Sequence, residues 1–395
     1  MGVGECGVGR TQVEMTTRRT NAKVAKEFRE LARSAEASHD TLDLVNFTFW
    51  CGAGFSKSWD AKYPTANDLF NGSFDELHFL PRFCLAHGVD PDNVSFDGIR
   101  EIGYALELYG RHPELQGRYI DSELLRMLRR ELNAWVRGRF NELVPLTYLS
   151  DTSFGLSPAT LSASQRPVVR FFRCLFDKAD GSAGLARGIR TNFLTTNYDF
   201  VIETVLDTVL GEDDSHFNYT YRGFTPTRVV GKPWAQFTHH HRLVQNLLKL
   251  NGGFEIRTEG AGYFLDYTSP TNSSLDDAQL ILPSRSQEYA SSYFANLFSK
   301  ASRILRETAV LVVVGYSFPE EDALFRFLLR QFSESVEDAI RKWIFYVDVA
   351  PQKDRLEQVF PFCVRNSASR LSIFHGTFAD FAAMVVPRTC WRYAR

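Results

Sequence analysis

The sequence lacks the patterns that mark several large classes of protein. Its six cysteines are scattered without a C-x-x-C pair, which argues against a zinc site and a disulfide framework and favours reduced thiols. The longest apolar run, 309–314, is far too short to span a bilayer, and the first residues show no basic-then-apolar signal pattern. At a formal net charge of −2, nothing global indicates nucleic acid or an anionic membrane. We therefore expect a cytoplasmic protein that uses no metal and contacts no membrane.

What is present is an alternation of short apolar strands, polar loops and amphipathic helices. The chain has 395 residues, 44% hydrophobic and 23% charged, which suits a soluble globular protein with one large domain or two to three smaller ones. The alternation predicts an α/β fold with a doubly wound parallel sheet. We expect an N-terminal arm and helix over 1–41 and the main domain over 42–395. A mostly helical stretch at about 75–178 is predicted to be an insertion over the sheet.

Four of the predicted strands end in loops rich in Gly, Asn, Ser or Asp. The loops are 52–56, 197–199, 251–253 and 315–317. Open α/β sheets bind their ligands outside the carboxyl ends of the strands. If the four loops share one edge of the sheet, they form a crevice large enough for a nucleotide.

Each loop alone has a simpler interpretation. Asn197 is a favourable cap for the helix predicted to begin at Tyr198 or Asp199. A lone G-x-G is a common turn, and Lys57 breaks the G-x-G-x-x-G fingerprint of dinucleotide-binding dehydrogenases. The three histidines at 239–241 diverge as chain neighbours, so they cannot all bind one metal and are expected in an exposed loop.

In combination, the loops resemble the sirtuin fold, and specifically bacterial sirtuin-like NAD-consuming proteins of antiphage defence. Residues 52–56 (GAGFS) are similar to the family's G-A-G-x-S loop, and 195–199 (TTNYD) to its T-[QT]-N-[IY]-D motif. Residues 249–253 (KLNGG) align with K-L-H-G-S, and 315–322 (GYSFPEED) resemble G-Y-S-F-x-x-x-D. The four motifs occur in the family's order, and the resemblance spans about 42–385. It implies a sirtuin-like Rossmann fold with the helical insertion.

The resemblance also implies NAD as the substrate and roles for the loop residues. Asn197 and Asn251 would be the catalytic residues. The remaining positions would bind the dinucleotide: Gly52, Ala53, Gly54, Phe55, Ser56, Thr196, Asp199, Gly315, Ser317 and Asp348. The implied reaction is hydrolysis of NAD to nicotinamide and ADP-ribose, which would deplete NAD during infection.

Two departures from the family bear on this reaction. Sirtuin deacetylases typically carry a four-cysteine zinc module, and its absence favours water over acyl-lysine as the acceptor. The family's catalytic His is Asn251 here, and an amide cannot act as a general base at neutral pH. Three alternatives follow: Asn197 organises the site, another histidine such as His240 substitutes, or the protein is a weak or inactive NAD- or ADP-ribose-binding sensor or assembly subunit.

A serine hydrolase is a further alternative. Ser317 lies between a predicted strand and helix, and Asp348 and His375 follow in the Ser–Asp–His order of α/β-hydrolases.

The resemblance to defence proteins implies in addition a homo-oligomer, or a partner such as an ATPase or an Argonaute-like protein.

Overall fold

The computed structural model describes most of the chain. The described residues are 6–37, 45–117, 119–149, 153–176, 188–210, 220–221, 226–231, 245–268, 277–285, 292–365 and 370–386. His239 to His241 lie outside these ranges, so the structure gives no account of them.

Helices and strands alternate as the sequence predicts. The helices are α1 (Cys6–Ala37), α2 (Ala53–Trp59), α3 (Ala66–Phe70), α4 (Leu80–Ala86), α5 (Phe96–Arg111), α6 (Ser122–Leu143), α7 (Gln165–Leu175), α8 (Val201–Leu210), α9 (Ser292–Glu307), α10 (Ala323–Arg330), α11 (Val336–Arg341), α12 (Lys353–Val359), α13 (Pro361–Arg365) and α14 (Phe378–Val385). The strands are β1 (Val45–Cys51), β2 (Ile189–Thr195), β3 (Thr220–Tyr221), β4 (Val229–Val230), β5 (Gln245–Lys249), β6 (Gly252–Glu259), β7 (Gly262–Asp266), β8 (Ala278–Leu280), β9 (Thr308–Val314), β10 (Trp343–Asp348) and β11 (Leu371–His375).

Seven of these strands form one parallel sheet in the order β11-β10-β9-β1-β2-β5-β3. The chain builds outward from β1 through β2 and β5, then returns to the other side of β1 with β9. This reversal is the topological switch of a doubly wound sheet. The predicted fold class, a doubly wound parallel α/β sheet, is confirmed.

Both faces of the sheet are covered, which explains why the strands are apolar along their whole length. Side chains alternate between the faces of β1. Phe47 and Phe49 meet aromatic rings of α1 and α7, at 5.8 Å from Phe28 and 6.1 Å from Phe171. Trp50 points the other way and lies 6.0 Å from Phe325 of α10. The helix α7, which falls inside the 75–178 stretch, therefore packs on the sheet itself.

The helices α3 to α6, residues 66–143, form a helical cap. A buried carboxylate fixes its interior, because Glu131 of α6 accepts backbone N–H bonds from His78, Phe79 and Leu80 at the start of α4. The cap meets a second sheet, in the order β4-β7-β6-β8, where the amide of Asn133 donates to the Ala278 carbonyl at 2.9 Å. The cap is thereby anchored beside the main sheet.

The thiols are the one place where the structure departs from the compositional expectation. Cys51, Cys84 and Cys363 are buried and free. Cys174 is disulfide-bonded, so the expectation of uniformly reduced cysteines is wrong for that side chain. Of the helices that the structure describes, none combines the length and apolar composition that crossing a bilayer requires.

Candidate functional site

The strand registers bring the polar loops to one edge of the sheet. Cys51, the last residue of β1, lies beside Thr195 of β2 and Val314 of β9, and Thr195 in turn lies beside Lys249 of β5. The loops that follow these residues surround a cleft of about 830 Å³. Such a volume is in the range of small-molecule sites, and the cleft lies at the switch point beside β1.

At the cleft wall, Gly54 and Gly315, with Gly52 behind them, bring two loops together backbone to backbone; we call these three residues the glycine seam. The N–H of Gly54 donates to the Gly315 carbonyl at 3.0 Å. A Cβ on Gly54 would lie 2.5 Å from the Gly315 Cα, and one on Gly315 would lie 2.3 Å from the Gly54 Cα. Gly315 also has a φ of 54°, which favours glycine. Only glycine fits this approach.

On the β2 side, three side chains form a hydrogen-bond chain that we call the amide relay: Asp199, Ser56 and Asn197. The Ser56 hydroxyl donates to Asp199 Oδ2 at 2.8 Å, and Asn197 Nδ2 donates to Ser56 Oγ at 2.9 Å. Asn197 Nδ2 also donates to the Gly52 carbonyl at 2.9 Å. A carbonyl only accepts, so the nitrogen of the amide must face it. Asn197 lines the cleft. Its side-chain oxygen, Oδ1, takes no part in these contacts.

Asp199 anchors the relay from a buried position. It is 6% exposed, and its Oδ1 accepts the Val201 N–H at 2.9 Å at the start of α8. Burial raises the pKa of the Asp199 carboxyl to about 6, although the bonds from Val201 and Ser56 favour the ionised form. The helix-capping role foreseen for Asn197 therefore belongs to Asp199, and Asn197 turns its side chain to the glycine seam.

Asn251 lies on the β5 side of the same cleft. It is 8% exposed, and its Nδ2 lies 3.4 Å from the Thr196 carbonyl. Its backbone carbonyl accepts the Ile281 N–H at 2.9 Å, while the Tyr198 hydroxyl donates to the Ile281 carbonyl at 2.6 Å. Residue 281 thus ties the loops of Asn197 and Asn251 to each other.

Directly behind these two loops lies a buried triad of Lys249, Glu203 and Glu255. The Lys249 ammonium is 2.9 Å from Glu203 and 3.0 Å from Glu255, and all three side chains are at most 1% exposed. Burial alone would lower the pKa of Lys249, but the two carboxylates outweigh it and raise that pKa. Lys249 Nζ also approaches the Tyr198 carbonyl at 3.4 Å. The triad joins β5, α8 and β6 beneath the loops.

The β9 and β10 side of the cleft is held by other contacts. The Tyr316 hydroxyl donates to Asp322 Oδ2 at 2.7 Å, which fixes the loop after β9. Phe318 is fully buried at a φ of 51°, a strained value for a residue with a side chain. Asp348 lines the cleft at the end of β10, and burial raises the pKa of its carboxyl. Ser317 is exposed there.

The structure brings most of the sequence-derived site residues to the cleft. The lining includes Ala53, Gly54, Thr196, Asn197, Asp199, Asn251, Gly315, Ser317 and Asp348. Gly52 and Ser56 contribute from behind it, through the seam and the relay. The Phe55 side chain is not brought there, because it is 1% exposed in the core and packs 5.3 Å from Phe378. The predicted loop is also shorter than expected, since α2 begins at Ala53.

The Ser–Asp–His grouping is not assembled. Ser317 and Asp348 line the cleft, but His375 is exposed at the end of β11 and does not. Its backbone N–H and carbonyl pair with the Asn21 side chain of α1. Among the described residues, no hydrogen bond links these three side chains, so the geometry gives a serine nucleophile no base.

Sequence reasoning missed three cations that line the cleft: Lys57, Arg100 and Arg355. In the sequence, Lys57 is notable only because it breaks the G-x-G-x-x-G dinucleotide-binding motif. Arg355 follows β10 on α12 and donates to the Ser317 carbonyl at 3.2 Å. Arg100 is carried by the helical cap, and no local motif indicates that this helix reaches the cleft. Within the described ranges, no group of three or more metal-ligating side chains comes together.

Comparisons with known proteins give one family match over part of the chain and several remote structural similarities. A family model for the SIR2-like domain matches residues 191–361, which include the loops at 195–199, 249–253 and 315–322 but not the 52–56 loop. No curated relative matches the chain. Among solved structures, the chain is similar to a mutant Sir2 homologue in complex with ADP-ribose, at 12% identity and a TM-score of 0.38, covering 90% of this chain and 94% of that one. It is also similar to Sir2 bound to acetylated peptide, at 12% identity and a TM-score of 0.34, covering 87% and 92%. Residues 191–361 are thus similar to the SIR2-like domain family.

Proposed function

We propose that the protein hydrolyses NAD to nicotinamide and ADP-ribose in the cleft. The observation that carries the proposal is the amide relay, which leaves Asn197 Oδ1 as an acceptor beside the glycine seam. The family match to a SIR2-like domain supports NAD as the dinucleotide. The SIR2-like domain and the cleft volume of about 830 Å³ are both compatible with a dinucleotide substrate.

The chemistry asks little of the protein beyond positioning. The glycosidic nitrogen of NAD is already positively charged, so nicotinamide leaves as a neutral molecule without an acid. The transition state is oxocarbenium-like, as in glycoside cleavage. Water then adds to the ribose carbon and releases one proton to the solvent. The protein must fix the ribose, orient the water and exclude other solvent.

The residues divide these tasks between the two sides of the cleft. Asn197 Oδ1 accepts a hydrogen bond from a ribose hydroxyl or from the attacking water. The backbone around Gly52 and Gly54 lies against the pyrophosphate. Gly315, Ser317 and, in this proposal, Asp348 contact the adenosine half.

Asn251 sets the rate. It stands where the resemblance places a histidine, and its amide cannot accept the proton that the water loses. General-base catalysis typically contributes about 10²–10⁴-fold, so we expect slow turnover. The alternative is a sensor that binds NAD or ADP-ribose without cleaving it.

Nicotinamide release from NAD distinguishes the two. We expect slow release by the wild type, none by Asn197→Ala, faster release by Asn251→His, and no change with Asn93→Ala, a substitution at an exposed position of the cap. No release by the wild type, alone or with its assembly partners, would reject the hydrolase. Binding of ADP-ribose without release would favour the sensor, and covalent labelling of Ser317 by a fluorophosphonate would revive the serine hydrolase.

The biological setting is proposed on the family resemblance alone. A cytoplasmic NAD hydrolase that depletes NAD would have to stay silent until infection. Control by self-assembly, or by a partner ATPase or Argonaute-like protein, would keep the enzyme inactive until then. NAD levels in cells that express the wild type or Asn197→Ala, with and without phage, test this setting.

A further inference from the structure

Arg100 is a cation that the helical cap contributes to the cleft. It lies on α5 and lines the cleft together with Phe70 and Phe96, whose rings are 5.9 Å apart. Its guanidinium carbon lies 6.0 Å from the centre of the Phe96 ring. The Phe96 N–H donates to Asn71 Oδ1 at 3.1 Å, which fixes the start of α5. The position of the Arg100 side chain is therefore set by packing within the cap.

Most of the hydrogen-bonding capacity of Arg100 is not used within the protein. Nη1 lies 3.0 Å from Asp97, but the Asp97 side chain is 86% exposed, so this pair is weak and screened. Nε is buried without a partner among the described residues. A guanidinium has five N–H donors in a fixed fork that matches the oxygens of phosphates. The Nη2 donors of Arg100 are therefore left for a ligand, whereas the buried Nε is not accessible to one.

Each of the two other cations among the described lining residues makes one contact of its own. Lys57 lies 3.4 Å from Asp68, and Arg355 donates to the Ser317 carbonyl at 3.2 Å. The cleft wall near β9 and β10 is acidic, with Glu320, Glu321, Asp322 and Asp348. The glycine seam offers a pyrophosphate close approach but no charge. A dianionic pyrophosphate in a partly dry cleft requires a cation beside it.

We propose that Arg100 binds the pyrophosphate of the dinucleotide from the helical cap, while the glycine seam contacts it from the sheet. The inference rests on the proposed function, because it takes a dinucleotide as the ligand. It assigns a role to the cap: α5 supplies a cation whose remaining donors can bind the ligand. Arg100 is in this sense a substrate-binding residue, and its contact is made to a non-reacting part of the substrate.

Calorimetric binding of ADP-ribose, ADP and adenosine tests the assignment. We expect Arg100→Ala to weaken ADP-ribose and ADP by about tenfold or more, and adenosine by less than about twofold, because only the first two carry the pyrophosphate. Arg100→Lys should fall between, since an ammonium keeps the charge but loses the fork. Arg111→Ala, on the exposed end of the same helix, should bind as the wild type does. Thermal unfolding of each variant confirms that it is folded.

The outcomes separate this inference from the proposed function. If the wild type binds ADP-ribose and Arg100→Ala binds it within twofold, Arg100 has no such role, and the proposed function still depends on nicotinamide release alone. If Arg100→Ala weakens adenosine as much as ADP, the effect is a general distortion and the assignment is overturned. If the wild type binds neither ADP-ribose nor NAD, both proposals fail together.

Discussion

One half of the cleft is built from backbone contacts and the other from side-chain contacts. Around β1 and β9, the glycine seam is backbone against backbone, and its geometry is set by the absence of side chains. Around β2 and β5, the amide relay and the buried triad are made of side chains, several of them charged and buried. The first half can recognise an extended, non-reacting group by shape. The second half fixes the direction of individual hydrogen-bonding atoms, which a reaction requires.

This difference predicts how each half responds to substitution. The side-chain half holds its shape through compensated charges, so removal of one partner leaves another charge buried and costs several kcal/mol. The backbone half responds only to added atoms. The four substitutions below probe this contrast, from the largest expected effect to the smallest.

Lys249→Met should cause the largest loss of stability, because it leaves Glu203 and Glu255 buried without their cation. Removing one member of a buried ion pair typically costs about 3–5 kcal/mol of unfolding free energy. Urea denaturation monitored by circular dichroism measures the change. The triple variant with Glu203→Gln and Glu255→Gln restores neutrality at nearly the same shape and should recover most of the loss. A cost below about 1 kcal/mol for Lys249→Met would show that the triad is not the anchor of these loops.

Asp199→Asn tests the relay through its pH dependence. Folding raises the pKa of Asp199 from 3.8 to about 6, so the folded protein holds this proton more tightly than the unfolded chain does. The stability that this group contributes is complete below pH 3.8 and is lost as pH rises through about 6. The unfolding free energy of the Asn variant relative to wild type should therefore increase by about 2 kcal/mol from pH 4 to pH 7. A pH-independent difference would mean that Asp199 is not perturbed.

Gly54→Ala tests the backbone half. Alanine favours helix, and Gly54 lies in α2, yet the new methyl would lie 2.5 Å from the Gly315 Cα. Overpacking of this kind costs about 1–3 kcal/mol. We also expect weaker binding of ADP-ribose, because the two loops must separate. Unchanged stability and binding would indicate that the two loops of the glycine seam separate at little cost in free energy.

Gly138→Ala is the matched control and should have the smallest effect, in the opposite direction. Gly138 lies inside α6, and a Cβ there would meet nothing within 4 Å. Replacing an unconstrained helical glycine by alanine should raise the unfolding free energy by about 0.5–1 kcal/mol. Thermal and urea unfolding of the two glycine variants, measured together, separate the effect of the seam from helix propensity.

Much of the fold could be predicted from the sequence because it depends on local patterns. The apolar run of β9 and the loop that begins at Gly315 specify a buried strand and its end. The amide relay could not be predicted, since Ser56 and Asp199 are 143 positions apart and meet only after β1 pairs with β2. The local sequence around Asn197 fits a helix cap equally well.

The buried triad and Arg100 were missed for the same reason. Glu203, Lys249 and Glu255 come from three elements, and each reads as an ordinary charged residue in its own segment. Arg100 reaches the cleft only because the folded cap borders it. Tertiary placement of single charges is not encoded in any periodicity, whereas a strand followed by a turn is.

The orientation of the Asn197 amide has one more consequence. Its nitrogen is occupied by the Gly52 carbonyl and Ser56, so the atom left for the cleft is an acceptor. An acceptor attracts hydroxyls and water and repels phosphate oxygens, which also only accept. A dinucleotide whose pyrophosphate lay against Asn197 would meet two acceptors face to face. The relay thus makes the two ends of the cleft chemically different. An elongated ligand binds with its reactive ribose at the Asn197 end and not at the other.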